Sequence, residues 1–224
     1  MKDIKLSKRL TAAAELCREG SFIADVGTDH AYLPIYLAQK GRIRGGVVSD
    51  INKGPIDRAQ AHIAEHGLSD ILSPKLCDGI SSLSSYKPED VFILGMGGEL
   101  IARIISDAPF LKDARIRLIL QPMTHPELLR RYLAENGFTI KEERLVKEEK
   151  IYQIMLAEYS GAVEEYTELE LMFGKQNIAE HSPLLLELLD HTKRVLSERI
   201  KGKRLASADT SEEDDLIREM EKLK

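Results

Sequence analysis

Four short segments carry residue types that can bind and position a nucleoside-bearing ligand. The first is Asp25-Val26-Gly27-Thr28-Asp29-His30, where an apolar run closes on a glycine flanked by acids. Gly27 lets the backbone pass a ligand with no Cβ in the way, and Asp25 and Asp29 can accept from an ammonium group. The second is Asp50-Ile51, in which Asp50 ends the run 45–50, placed 23 residues after Gly27. An acid there can accept both hydroxyls of a ribose. The third, Cys77-Asp78-Gly79, offers a carboxylate to an adenine exocyclic amine. The fourth, Gly95-Met96-Gly97-Gly98, leaves room for a ligand or substrate against the backbone.

Taken singly, each segment has a plain structural reading: a turn glycine, an Asx turn at Asp78, a tight loop. Taken together, at successive strand ends, they describe an adenosine site with an amino-acid end. A dinucleotide would want G-x-G-x-x-G, but 27–32 read Gly-Thr-Asp-His-Ala-Tyr, and Asp29 would repel a pyrophosphate. The cofactor expected is therefore S-adenosylmethionine, with Asp25, Gly27, Asp29, His30, Asp50, Ile51, Asp78, Gly79, Gly95 and Met96 as its contacts. The fourth segment lacks the Asn/Asp-Pro-Pro-aromatic motif used on exocyclic amines. That argues against such chemistry and leaves an endocyclic nitrogen open.

The elements that must position these residues alternate. Apolar or β-branched runs at 22–26, 46–49, 73–76, 91–94, 117–120, 139–146 and 152–158 read as strands. Helical periodicity occupies 5–19, 33–39, 55–66, 99–106 and 126–136. Gly41, Gly67 and Gly137 fall where helix C-caps are wanted. This is an α/β pattern: a Rossmann-like methyltransferase sheet of seven strands, with the last two, lacking a helix between them, closing as an antiparallel pair. After residue 160 the pattern is helical only. Spacing over 185–200 and 216–223 predicts an antiparallel coiled-coil hairpin, turning at 206–211. Two domains follow, 1–160 and 161–224.

The chain has 224 residues, a net charge of −5, two cysteines and no tryptophan. Neither a disulfide framework nor a metal site is indicated, and no apolar run reaches the roughly 18 residues of a membrane helix. A cytoplasmic monomer is expected. The charge is uneven: residues from Ser160 onward carry 10 basic against 15 acidic side chains, which leaves the first 159 neutral. Within that acidic tail sits a basic block of Lys193, Arg194, Arg199, Lys201, Lys203 and Arg204.

Several of these pieces resemble the bacterial tRNA (adenine-22-N1)-methyltransferase family, the TrmK family. The matching segments are Leu6-Ser7-Lys8-Arg9-Leu10, the run from Asp25 through Tyr32-Leu33-Pro34, Asp78-Gly79, Gly95-Met96-Gly97-Gly98 and Leu120-Gln121-Pro122. They span most of the first 125 residues, and Asp29-His30-Ala31-Tyr32-Leu33-Pro34 is the most specific. At the ribose acid, where glutamate occurs in the family, this chain has Asp50; either acid suits the role.

The resemblance implies a class I enzyme that moves a methyl group from S-adenosylmethionine to N1 of an adenine at position 22, in the D-loop region of tRNA. Asp29 is then the first candidate near the reacting centre, with Gln121 reading the adenine edge. Lys8 and Arg9 would hold tRNA phosphate at the pocket mouth, Tyr32 would stack on a flipped base, and the block from Lys193 to Arg204 would follow the tRNA backbone. Two other readings stay open: a methyltransferase acting on a small metabolite or a protein, and a non-catalytic tRNA-binding protein.

Overall fold

Side chains along the central strands alternate between two cores. The computed structural model describes residues 3–78 and 80–223. Seven strands, β1 (Ser21–Val26), β2 (Ile43–Asp50), β3 (Leu72–Leu76), β4 (Asp90–Gly97), β5 (Arg117–Thr124), β6 (Phe138–Lys147) and β7 (Ile151–Tyr159), form one sheet of order β3-β2-β1-β4-β5-β7-β6. The first five pair in parallel, whereas β5 with β7 and β7 with β6 are antiparallel. The expected sheet is present, its strands a residue or more longer than most of the sequence runs suggest.

Ala24, Val91, Ile93, Leu118 and Leu120 point to one face, where they pack on α4 (Gly98–Ser106) and α5 (Pro126–Glu135). Ile23, Phe92 and Ile119 point to the other, under α1 (Lys8–Glu15), α2 (Tyr32–Gln39) and α3 (Lys53–Glu65). Both faces are covered, as a largely parallel sheet requires. Helix α1 is shorter than its periodicity over 5–19. Ser7 is extended at its N-cap, and its hydroxyl accepts from the Leu10 amide at 3.4 Å, which fixes the start there. Gly41, Gly67 and Gly137 have φ of 67°, 65° and 81° and end their helices as expected.

Beyond β7 come α6 (Glu168–Phe173), α7 (Lys175–Ala179), α8 (Leu185–Leu205) and α9 (Ser211–Glu221). Lys193 pairs with Glu221 and Arg204 with Asp214, so α8 and α9 run antiparallel. Their core takes in Leu145 and Ile151 from the β6–β7 hairpin as well as Leu169 and Phe173 of α6. The helical part is thus seated on the sheet domain. Its deepest tie is polar: Arg130 of α5, fully buried, reaches Glu143 at 2.7 Å, Gln153 at 2.7 Å and the Leu171 carbonyl at 2.8 Å. Among the described residues, no helix is long and apolar enough to cross a membrane.

Candidate active site

Strand order reverses between β1 and β4, and their carboxyl ends open a crevice where an open α/β sheet takes its ligand. Three of the acidic or glycine-rich segments met in the sequence end β1, β2 and β4, and the Cys77-Asp78 segment follows β3. Two cavities lie there, of about 280 Å³ and about 340 Å³, and Gly27 lines both.

The first cavity is lined by Asp50, Ile51, Asp78, Met96, Leu100 and Arg103, among others. The carboxylate of Asp50 accepts the Asn52 amide at 2.7 Å through Oδ1, which orients it and leaves Oδ2 for a ligand. Ile51 is 63% exposed at the rim, an apolar surface for a flat ring. The arrangement fits an adenosine: an acid for the ribose, an acid for the base edge, and apolar walls. Gly79 lies outside the described residues.

The second cavity is lined by Arg9, Asp25, Thr28, Asp29, His30, Tyr32 and Gly95, among others. Asp25 is buried at the end of β1, and that burial pushes its carboxyl up to about 6; the Thr28 hydroxyl offsets only part of the effect. Among the described residues, no basic side chain acts on it. At the opposite end of the sheet the equally buried Asp90 is gripped by Arg18 at 2.8 Å and Arg117 at 3.0 Å. There burial also pushes upward, but the hydrogen bonds from Arg117 and Arg18 outweigh it and hold the carboxyl below the usual range. A buried carboxylate with no cation of its own suits a ligand's ammonium.

Gly27 joins the cavities. Its φ is +77°, and a Cβ built on it would lie 1.9 Å from the Met96 methyl. Gly27→Ala therefore forces a left-handed alanine, at a cost of about 1–2 kcal/mol, and drives Met96 aside. We expect donor affinity to fall at least tenfold and the melting temperature by roughly 2–6 °C. Calorimetric titration with S-adenosylhomocysteine and a thermal melt check this, and unchanged affinity would refute the role given to Gly27.

Other residues lie where the sequence could not place them. The Asp29 carboxylate is turned toward α3, where Arg58 binds it (Nε at 3.1 Å), and His30 Nε2 lies 3.1 Å away. Hydrogen bonds from Arg58 hold its carboxyl low. His30 does not cap α2; that position is Ala31, in the left-handed region at φ 55°. Instead the imidazole packs between loop and α3, its buried Nδ1 without a partner. Arg58 and His62, one turn apart on α3, hold the Asp29–His30 loop, with His62 Nδ1 donating to the His30 carbonyl at 3.2 Å. The sequence carried one signal for them: a basic i,i+4 pair on the helix that follows Asp50.

Arg9 does not stand at the mouth as a free phosphate contact. Its guanidinium donates to Gln121 Oε1 at 3.0 Å, lies over Tyr152, and comes near Gly95. Gln121 itself is buried, its Nε2 donating to the Pro122 carbonyl at 2.9 Å. Lys8 is exposed on α1. In the basic block, Lys193, Lys201, Lys203 and Arg204 are ion-paired with Glu221, Glu198, Glu213 and Asp214. Arg194 and Arg199 are exposed with no such pair among the described residues. The block is therefore far less free than its sequence suggests.

Comparison with known proteins agrees with this geometry. The family described as a methyltransferase domain matches residues 6–155. The tRNA (adenine(22)-N(1))-methyltransferase of Bacillus subtilis (strain 168) is 33% identical over 175 residues, covering 78% of this chain and 74% of that protein. The crystal structure of the B. subtilis m1A22 tRNA methyltransferase TrmK superposes with a TM-score of 0.82 at 27% identity, covering 98% of this chain and 96% of that one. The structure of M. capricolum TrmK with the cofactor product S-adenosyl-homocysteine gives 0.83 at 25%, covering 97% and 96%.

Proposed function

The chain belongs to the bacterial tRNA (adenine-22-N1)-methyltransferase family, and on that premise we propose that it methylates N1 of adenine 22 in tRNA with S-adenosylmethionine as donor. The observation that carries this is the pair of cavities meeting at Gly27, one ending in Asp50 and Asp78 and the other in Asp25. When bound, S-adenosylmethionine supplies an electrophilic methyl carbon on a sulfonium. Asp50 takes the ribose hydroxyls, Asp78 the adenine amine, and Asp25 the ammonium, while Ile51 and Met96 wall the rings.

Adenine N1 carries a free lone pair, so the protein need not remove a proton before attack. Its task is alignment, which contributes on the order of 7–11 kcal/mol in favourable cases. Tyr32, 44% exposed at the edge of the second cavity, offers a face on which the extruded base can stack. Gln121, buried and held by Arg9 and the Pro122 carbonyl, and Asp29, turned onto Arg58, act here by fixing the end of β5 and the loop around the base rather than by offering it a free group. Residues 1–160 carry the chemistry and contribute Lys8 of α1 to the tRNA contact, and the helical residues 161–224 contact tRNA through Arg194 and Arg199. On the same proposal the chain is a monomer acting where tRNA is found, in the cytoplasm.

Incubation of unmodified tRNA with the donor, followed by nucleoside mass spectrometry, tests the proposal. We expect N1-methyladenosine from the parent tRNA and none from a tRNA with guanosine at position 22. Methylation that persists in the substituted tRNA, or its absence from both, would overturn the reading.

A further inference from the structure

Three rings cluster where α2 meets α3. The centroids of His30 and Tyr32 are 5.1 Å apart and their planes 13° apart; His30 and His62 are at 5.2 Å and 25°, and Tyr32 and His62 at 5.6 Å and 31°. Tyr32 and His30 line the reaction cavity, whereas His62 lies behind them. Tyr32 is the only Phe, Tyr or Trp on either cavity among the described residues. It is the first residue of α2, nearly half exposed, and among the described residues the rings packed on it are those of His30 and His62.

The geometry points to His62 as a positioning residue for the target base. Its ring packs on Tyr32 directly and also on His30, which stacks on Tyr32, so the tyrosine ring is set before the nucleotide arrives. A preset ring binds a base without first giving up its own rotamer freedom. Arg58 contributes to the same end one turn earlier, by anchoring Asp29 and hence the loop that carries His30. Helix α3 starts just past Asp50, so one element serves both the ribose acid and the base platform. This inference rests on the tRNA methylation reading above.

His62 makes two kinds of contact, ring packing and the hydrogen bond to the His30 carbonyl, and two variants separate them. His62→Gln retains a donor and loses the ring; His62→Phe retains a ring and loses the donor. The experiment is steady-state methylation of unmodified tRNA by the full chain, with S-adenosylmethionine affinity and melting temperature measured for each variant. We expect His62→Gln to lower kcat/KM for tRNA about 3- to 10-fold, the size of one or two lost aromatic contacts. Donor affinity should stay within twofold, and His62→Phe should recover most of the activity. Equal activity in His62→Gln and the parent overturns the inference, as does a loss in His62→Phe as large as in His62→Gln, or a matching loss of donor affinity. A parent chain that leaves tRNA unmethylated overturns the functional reading itself, whatever the variants do.

Discussion

Asp25→Asn is expected to weaken donor binding about 10- to 100-fold while making the protein more stable at neutral pH. The two effects have one cause. Asp25 is buried at the end of β1 with only Thr28 to offset its desolvation, and its carboxyl titrates at about 6 instead of 3.8. The folded chain therefore holds a proton on Asp25, between those two values, that the unfolded chain has released. Stability contributed by this group is fully present below 3.8, falls as pH rises toward about 6, and the penalty is complete above that. Its size is on the order of 3 kcal/mol. An asparagine carries no such penalty, so melting at pH 8 should shift upward by several degrees and melting near pH 4 should hardly move.

Binding responds in the opposite sense. A hydrogen bond to a charged group contributes about 1.5–3 kcal/mol, and the asparagine amide replaces an acceptor with a donor facing the ligand's ammonium. In the parent protein the ammonium needs the ionised carboxylate, so donor affinity should fall about tenfold per pH unit below about 6. Calorimetric titration with S-adenosylmethionine from pH 5 to 8, on both proteins, measures both effects. A variant that binds the donor normally, or that melts lower at pH 8, would remove Asp25 from the role assigned to it.

Asp25 was legible because the signal was local. A strand end, a glycine and an acid within a few residues suffice to place a carboxylate at the carboxyl edge of the sheet, as with Asp50 at the end of β2 and Asp78 just past β3. The seven strands were legible for a similar reason, since each is a short apolar or β-branched run bounded by turn or helical signals. What stayed hidden depends on distant partners. Arg9 looks like one of a pair of exposed cations until β5 brings Gln121 within 3.0 Å of it. The block from Lys193 to Arg204 looks like a phosphate surface until α9 folds back and sets Glu213, Asp214 and Glu221 against it. Helices α6 and α7 are six and five residues long, too short for periodicity to reveal. Arg58 and His62 look like the solvated side of α3, because their i,i+4 spacing on that helix does not reveal that the Asp29–His30 loop lies across them.

Arg130 is the extreme case, an arginine in an amphipathic helix that proves to be wholly buried. Its guanidinium meets Glu143 of β6, Gln153 of β7 and two carbonyls of α6, and Glu143 in turn accepts the Gln176 amide at 3.1 Å. One side chain thereby joins the sheet domain to the helical part. Arg130→Leu leaves Glu143 charged, buried and unpaired, and should cost about 3–5 kcal/mol. Removing the charge as well, in Arg130→Leu with Glu143→Leu, should recover a large part of that, because two apolar side chains can take the place of a buried ion pair. Arg130 lines neither cavity at Gly27, so folded Arg130→Leu protein should bind S-adenosylmethionine normally and yet methylate tRNA poorly, its helical part no longer held in register with the cavity. Denaturant melts of the parent, both single variants and the double variant give the coupling energy. Donor titration and tRNA turnover on the same proteins separate loosened attachment from a damaged site. Equal losses of donor affinity and turnover, or a double variant no more stable than Arg130→Leu, would contradict this account of how the two parts are joined.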